Sequence, residues 1–343
     1  MNNKTERKFL KKYLIIILTT TIPLLLLLVL IPSLMTFMHR GGNLTAKKVS
    51  MLNEITSGNL QHIAHRGLFH PKHATRAENT LPSFEFAIKK HTSFELDVHL
   101  TKDNKLAVIH DDTLGLHAID KNIVKDDIEQ KIINTKIKDL NLDEINQVTQ
   151  KYGLYNTPNK VPTLNEVLTQ TDNLLTHIDY RNFKTFILVE IKAGGNDSKE
   201  YIANLCKATY ETLRNFKNES TRVLYAIQSF HPYVLNWFAK NAPEVLRGFL
   251  SKNFSAHYLQ GEPKGISGYL LGNLYTNFLA RPDFIAYEYK EGIEESLGLK
   301  QYRKLYNPYV FCWTIRDKAL MDKLANKYNA FIFDSIADFL VEN

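Results

Sequence analysis

From His62 onward the chain alternates short apolar runs of strand type with longer stretches that carry helix signals. The runs are His62 to Ala64, Phe94 to Val98, Leu106 to Ile109, Phe186 to Ile191, Val223 to Ile227, Leu246 to Leu250, Phe284 to Tyr287, Val310 to Ile315 and Ala330 to Phe333. Thr163 with Glu166 three residues on reads as a capping box, and Pro82 opens a run in which Phe84, Ala87 and Ile88 are apolar, so these intervals are predicted helices. Strand and helix in alternation predict a parallel sheet. Residues 60–343 come close to the roughly 250 residues of a single (β/α)8 TIM barrel. Nine runs are one too many. Leu106 to Ile109 follows its predecessor after the polar stretch Thr101-Lys102-Asp103-Asn104-Lys105, too short for a parallel crossover. It is predicted to be a hairpin partner of strand two that opens a small insertion, residues 100 to 160 approximately.

The first 59 residues follow another pattern. Between Tyr13 and Met38 only Tyr13 is ionisable, and Leu24 to Ile31 is nearly all leucine. That length of apolar sequence predicts one transmembrane helix over 13–38, in which Pro23 and Pro32 are tolerable. Residues 1–12 form a basic tail with five cationic residues, and 39–59 read as a polar linker. The positive-inside rule then places the N-terminus in the cytoplasm and the folded part outside, as a single-pass membrane protein.

The net charge of +7 is concentrated in these two basic segments, and the remainder is almost neutral. A nucleic-acid surface is therefore not indicated. With 44% apolar and 23% charged residues the chain is neither disordered nor a disulfide scaffold, and Cys206 and Cys312 sit in apolar surroundings as buried thiols.

Chemistry collects at the strand ends. Strand one ends in Ala64-His65-Arg66-Gly67, the hairpin strand in His110-Asp111, and later strands in Gln228-Ser229-Phe230, Glu288, Trp313-Thr314 and Asp334. Glu95 and Asp97 are two apart on strand two, as are Glu190 and Lys192 on the next parallel strand, so each pair shares a face. Three carboxylates without a nearby cysteine suit a hard divalent cation, Mg²⁺ or Ca²⁺. His65 and His110 suit acid and base work near neutral pH, and Arg66 and Lys192 are fixed cations of the kind that hold a phosphate. Together these are parts for breaking a phosphodiester. His70, His73, His91, His99, His117, His177, His231 and His257 have no such pattern and read as surface or packing residues.

At these positions the sequence resembles the glycerophosphodiester phosphodiesterase family. The likeness runs through His62-Ile63-Ala64-His65-Arg66-Gly67, Glu78-Asn79-Thr80-Leu81-Pro82-Ser83-Phe84, Glu95-Leu96-Asp97-Val98, Val108-Ile109-His110-Asp111, Val161 to Leu168, Val189-Glu190-Ile191-Lys192, Ser229-Phe230 and Trp313-Thr314. It implies a TIM barrel with an insertion after strand two, His65 and His110 as catalytic pair, and Glu95, Asp97 and Glu190 as metal ligands. Arg66 and Lys192 would contact phosphate, Glu78 and Asn79 would serve substrate binding and site positioning, and Trp313 would contact substrate. The implied reaction is metal-dependent hydrolysis of a glycerophosphodiester, small or lipid-derived, to glycerol phosphate and an alcohol. Lysophospholipase D activity, an envelope glycerol phosphate polymer as substrate, and a membrane-tethered barrel that binds phosphodiesters without turnover are the alternatives. The sequence departs from the family in a longer Leu68 to Ala77 loop and in Gly115-Leu116-His117-Ala118 after the His110-Asp111 motif.

Overall fold

A computed structural model describes residues 3–21, 30, 33–34, 36–73, 75–177, 183–216, 222–256, 262–334 and 336–340. Its strands are β1 His62–Ala64, β2 Ser93–Leu100, β3 Leu106–Val108, β4 Thr185–Ile191, β5 Val223–Ser229, β6 Leu246–Ser251, β7 Phe284–Glu288, β8 Val310–Ile315 and β9 Ala330–Phe333. All but β3 are parallel and close in the order β1, β2, β4, β5, β6, β7, β8, β9 back to β1. This is a TIM barrel. β3 runs antiparallel on β2, with Val98 opposite Val108 and Leu100 opposite Leu106, as the short polar turn between them requires.

The period-two rule sorts every strand into a face toward the axis and a face toward the helices. On β4, Phe186 and Leu188 join Ile63, Ala226, Leu246, Phe284, Phe311 and Ile332 in the barrel interior. Ile187, Val189 and Ile191 instead pack outward with Phe84, Ala87 and Ile88 of the helix Leu81–Lys89. Residues 107–161 bury their own small core, including Ile109, Leu114, Ile133, Ile145 and Leu154, so the insertion is a satellite layer on β2. Cys206 and Cys312 are buried free thiols.

Two expectations for the N-terminal segment change. Among the described residues no helix is long and apolar enough to cross a membrane. The apolar stretch begins at the end of the helix Asn3–Ile16, which also carries Lys8, Lys11 and Lys12, and passes into a π-helical turn, Ile17–Thr21. Residues 22–29, 31, 32 and 35 lie outside the described residues. This overturns the expected transmembrane helix, and with it the single-pass membrane localisation and orientation built on it.

The segment expected to be a polar linker contains the helix Ala46–Ile55, which Thr45 caps by accepting a hydrogen bond from the Lys48 amide at 3.3 Å. Leu52 and Ile55 are fully buried in the interior cluster and close the N-terminal end of the barrel. Burial of two such side chains contributes about 1.5–3 kcal/mol each. Lys48 lies on the same face, its ammonium 2.6 Å from Asp283 Oδ2 and 3.1 Å from the Val245 carbonyl. Gly41, Gly42, Asn43, Ser57, Gly58 and Asn59 make the segment read as connector, although Lys48, Leu52 and Ile55 form a buried face on the helix between them.

Candidate active site

The interior face that is apolar at the base of each strand becomes polar two residues later, at the C-terminal mouth. Ile63 is followed by His65, Leu188 by Glu190, Ala226 by Gln228, Leu250 by Lys252, Ala286 by Glu288, Phe311 by Trp313 and Ile332 by Asp334. A cavity of about 510 Å³ opens there; His65, Arg66, His110, Glu190, Lys192 and Trp313 are on its wall. Of the other residues picked out in the sequence, Glu95 and Asp97 are fully buried beneath it. Glu78 and Asn79 are not on the wall.

Those two act on their neighbours. Glu78 Oε1 accepts from Arg66 Nη1 at 2.7 Å, and Asn79 Nδ2 donates to Asp97 Oδ2 at 2.8 Å. The chain leaves β1 through two left-handed residues, Arg66 at φ +56° and Gly67 at φ +81°. At Gly67 a Cβ would collide with Ser83 Oγ, which confines this position to glycine. The turn aims the Arg66 amide at Glu95 Oε2, 2.9 Å away, while its Nε lies 3.6 Å from Asp97 Oδ2. Arg66 thus touches the acidic cluster with both backbone and side chain.

Glu95, Asp97 and Glu190 each place one carboxylate oxygen within 4.8 Å of the others. The Lys192 ammonium lies between two of them, 2.8 Å from Glu190 Oε1 and 3.2 Å from Asp97 Oδ1. Three buried acids thus face two cations, and the excess falls on Glu95. Burial, with Asp97 and Glu190 adding repulsion, pushes its carboxyl well above the ordinary range. Burial would also raise Asp97, but Lys192, His110 and Arg66 outweigh it and hold that carboxyl down. Burial raises Glu190 against the pull of Lys192. Glu95 Oε1 is buried with no hydrogen-bond partner, a costly state that a cation on the all-oxygen donor set would relieve.

Each histidine is oriented by a carboxylate. His65 Nδ1 is 2.8 Å from Asp334 Oδ1, whose Oδ2 pairs with Arg316 Nη2 at 2.9 Å. His110 Nδ1 is 2.8 Å from Asp111 Oδ1, whose Oδ2 meets His117 Nδ1 at 3.0 Å. In both rings the carboxylate takes Nδ1 and not Nε2. Burial, together with the Lys192 ammonium, pushes the His110 imidazole down to about 4. His117 and His99, read from sequence as surface or packing residues, back this site: His99 Nε2 lies 3.2 Å from the His110 carbonyl.

Sequence reasoning left Asp334, Arg316 and Lys252 without roles. Asp334 and Lys252 carry the same signal as the others, a polar residue two past an interior apolar one. Arg316 carries no such signal, because its contact with Asp334 is set by the loop beyond β8.

Residues 65–337 match the model of the glycerophosphoryl diester phosphodiesterase family. The chain belongs to that family. A glycerophosphodiester phosphodiesterase of Caldanaerobacter subterraneus is 32% identical over 191 residues, covering 55% of this chain and 65% of the relative. A human lysophospholipase D is 26% identical over 49% of this chain and 52% of its own length. The matched stretches span between 25% and 65% of the length of the curated relatives. Among solved structures, an Oleispira antarctica phosphodiesterase in complex with the product sn-glycerol-3-phosphate superposes with a TM-score of 0.54 at 19% identity, covering 82% of this chain and 94% of that one. At that identity the likeness speaks for the barrel fold, which both chains share.

Proposed function

We propose that this barrel hydrolyses glycerophosphodiesters to glycerol phosphate and an alcohol by histidine acid and base catalysis beside a bound divalent cation. The observation that carries this reading is the pair of carboxylate-oriented imidazoles, His65 on Asp334 and His110 on Asp111, on one cavity wall above three clustered acids. Family membership supports the same reaction class.

Glu95, Asp97 and Glu190 would hold Mg²⁺ or Ca²⁺, which when bound supplies charge neutralisation at the phosphoryl oxygens. Arg66 and Lys192 add fixed positive charge there. His110, neutral because its pKa is depressed, takes a proton at Nε2 from the glycerol 2-hydroxyl, whose oxygen attacks phosphorus. His65, held at Nδ1 by Asp334, gives a proton to the departing alcohol. Water opens the resulting cyclic phosphate with the two rings exchanging roles. The intramolecular attack has the large effective molarity of an oriented neighbouring group.

A diester lacking the 2-hydroxyl tests this sequence: it binds and is not cleaved. Brisk hydrolysis of that analogue shows direct attack by water and removes the internal nucleophile. Lysophospholipase D activity is a second reading. It is favoured by the name of the human relative and by the apolar Phe230, Leu250 and Ile332 on the cavity wall. Lysolipid and glycerophosphocholine, offered in parallel with Mg²⁺, decide between them.

A further inference from the structure

The stretch Gly115-Leu116-His117-Ala118, where the sequence departs from its family, has no part in the reaction proposed above. Its backbone is pinned at three points. The Gly115 amide donates to the Ile133 carbonyl at 2.7 Å, the Ile119 amide to the Leu114 carbonyl at 2.9 Å, and the Tyr155 amide to the Ala118 carbonyl at 2.8 Å. A Cβ at Gly115 would lie 3.0 Å from the Ile133 carbonyl oxygen, so the turn is drawn tight against the helix Asp127–Asn134. Leu114, Ala118 and Ile119 are buried in the core of the insertion, while the side chain of His117 among them is 70% exposed.

From this fixed turn His117 Nδ1 lies 3.0 Å from Asp111 Oδ2, and the other oxygen of that carboxylate lies 2.8 Å from His110 Nδ1. An exposed imidazole on a surface acid would contribute little. Asp111, however, is buried, its side chain 3% exposed. Burial would raise its carboxyl, but the hydrogen bonds and charge of His110 and His117 outweigh it and hold the group below the ordinary range. An ionised carboxylate only accepts, so each ring carries a proton on Nδ1. On the neutral His110 ring the lone pair is then on Nε2, the atom that the base role requires. Without His117, one oxygen of a buried carboxylate loses its donor, and the carboxylate turns from His110 to find another.

We propose that His117 is a positioning residue for the reaction: supplied by the insertion, it holds Asp111 from the far side, so that the carboxylate keeps His110 in the tautomer and orientation of a base. This rests on the hydrolytic reading above. His117 is not on the cavity wall, so its loss is expected in kcat and not in KM.

The test uses the full chain and three variants, each checked by circular dichroism. His117→Ala removes the donor. His117→Asn restores it, because the asparagine Nδ2 stands the same number of bonds from the backbone as the histidine Nδ1. Leu116→Ala, an exposed neighbour on the same turn, controls for disturbance of the loop. With Mg²⁺ present, kcat and KM are measured on glycerophosphocholine. Nitrogen NMR of histidine-labelled protein near neutral pH reads the His110 tautomer, its ring signals being assigned by their loss in His110→Ala. Loss of a hydrogen bond to a charged group predicts a fall of about 10- to 100-fold in kcat for His117→Ala. KM should stay unchanged, and the His110 ring should move from the Nδ1–H form toward a mixture of tautomers. His117→Asn should recover most of kcat and the original ring signals. Unchanged kcat in His117→Ala overturns the proposal, and so does an equal fall in Leu116→Ala, which would assign the effect to the loop. A rise in KM alone, or a fall in kcat with the His110 ring unaltered, also overturns it. If the wild-type chain turns over no glycerophosphodiester, the hydrolytic reading fails by itself. The positioning of His110 then stands if its ring signals change in His117→Ala, and falls if they do not.

Discussion

Asn79 grips Asp97 at two points: its Nδ2 donates to the carboxylate Oδ2 at 2.8 Å, and its Oδ1 accepts from the Asp97 backbone amide at 3.3 Å. Asp97 contributes to the acidic cluster, so the clamp fixes one donor oxygen of a prospective cation site. Asn79 also holds φ at +54°, a value that asparagine and glycine tolerate better than other residues. Asn79→Gly keeps the backbone and removes the clamp. Cation affinity in that variant is expected to fall about 10- to 100-fold, the usual effect of losing a partner behind a metal ligand. Titration of activity with Mg²⁺ measures it, and an unchanged titration curve would remove Asn79 from the site.

The strained acidic cluster gives a second expectation. Because Glu95 lacks a partner on Oε1, a divalent cation that binds only the folded chain should raise the melting temperature. At one hundred times the dissociation constant the gain is about 2.7 kcal/mol. Chelator reverses it, and Glu190→Gln shrinks it. A melting curve indifferent to Mg²⁺, Ca²⁺ and chelator counts against a resident cation.

The histidines set the pH behaviour. The His110 pKa is depressed to about 4 by burial and Lys192, so the ring stays neutral well below the ordinary value of about 6.5. In the unfolded chain the ring takes up a proton near 6.5, and in the folded chain it does so only near 4. Stability from this group is therefore intact above 6.5, declines between 6.5 and 4, and is fully lost below 4. The acidic limb of kcat/KM should likewise lie below the normal histidine range. His65→Ala and His110→Ala are each expected to cost about 10² to 10⁴ in rate. Near-normal rates in both variants would sink the acid and base assignment.

At the opposite end of the barrel, Asp283 is the shared anion of Lys48 and Arg247, at 2.6 and 3.2 Å, and all three side chains are buried. Burial lowers the Lys48 pKa and raises that of Asp283, so the group is held together by pairing rather than by solvation. Asp283→Ala leaves two uncompensated buried cations and should destabilise the fold by about 3–5 kcal/mol. Adding Lys48→Met to that background should recover part of the loss. Equal urea midpoints for wild type and Asp283→Ala would show that the helix Ala46–Ile55 does not depend on this contact.

The sequence by itself determined the barrel. Strand runs and helix caps are local, and a five-residue polar turn permits only the hairpin seen between β2 and β3. Period-two alternation also picked out Glu95 with Asp97 and Glu190 with Lys192, because each pair lies on one strand. What only the tertiary structure decided is contact between residues distant in the chain. It pairs His65 with Asp334, 269 positions away, and turns Glu78 and Asn79 onto Arg66 and Asp97. It also buries Lys48 against Asp283, which makes a barrel plug of a segment that reads as linker. Hydropathy summed along 13–38 could not register that the α-helix passes into a π-helical turn at Ile17–Thr21, since apolar content does not fix helix type. Local patterns record which face a side chain takes; ring closure of the barrel decides what that face meets.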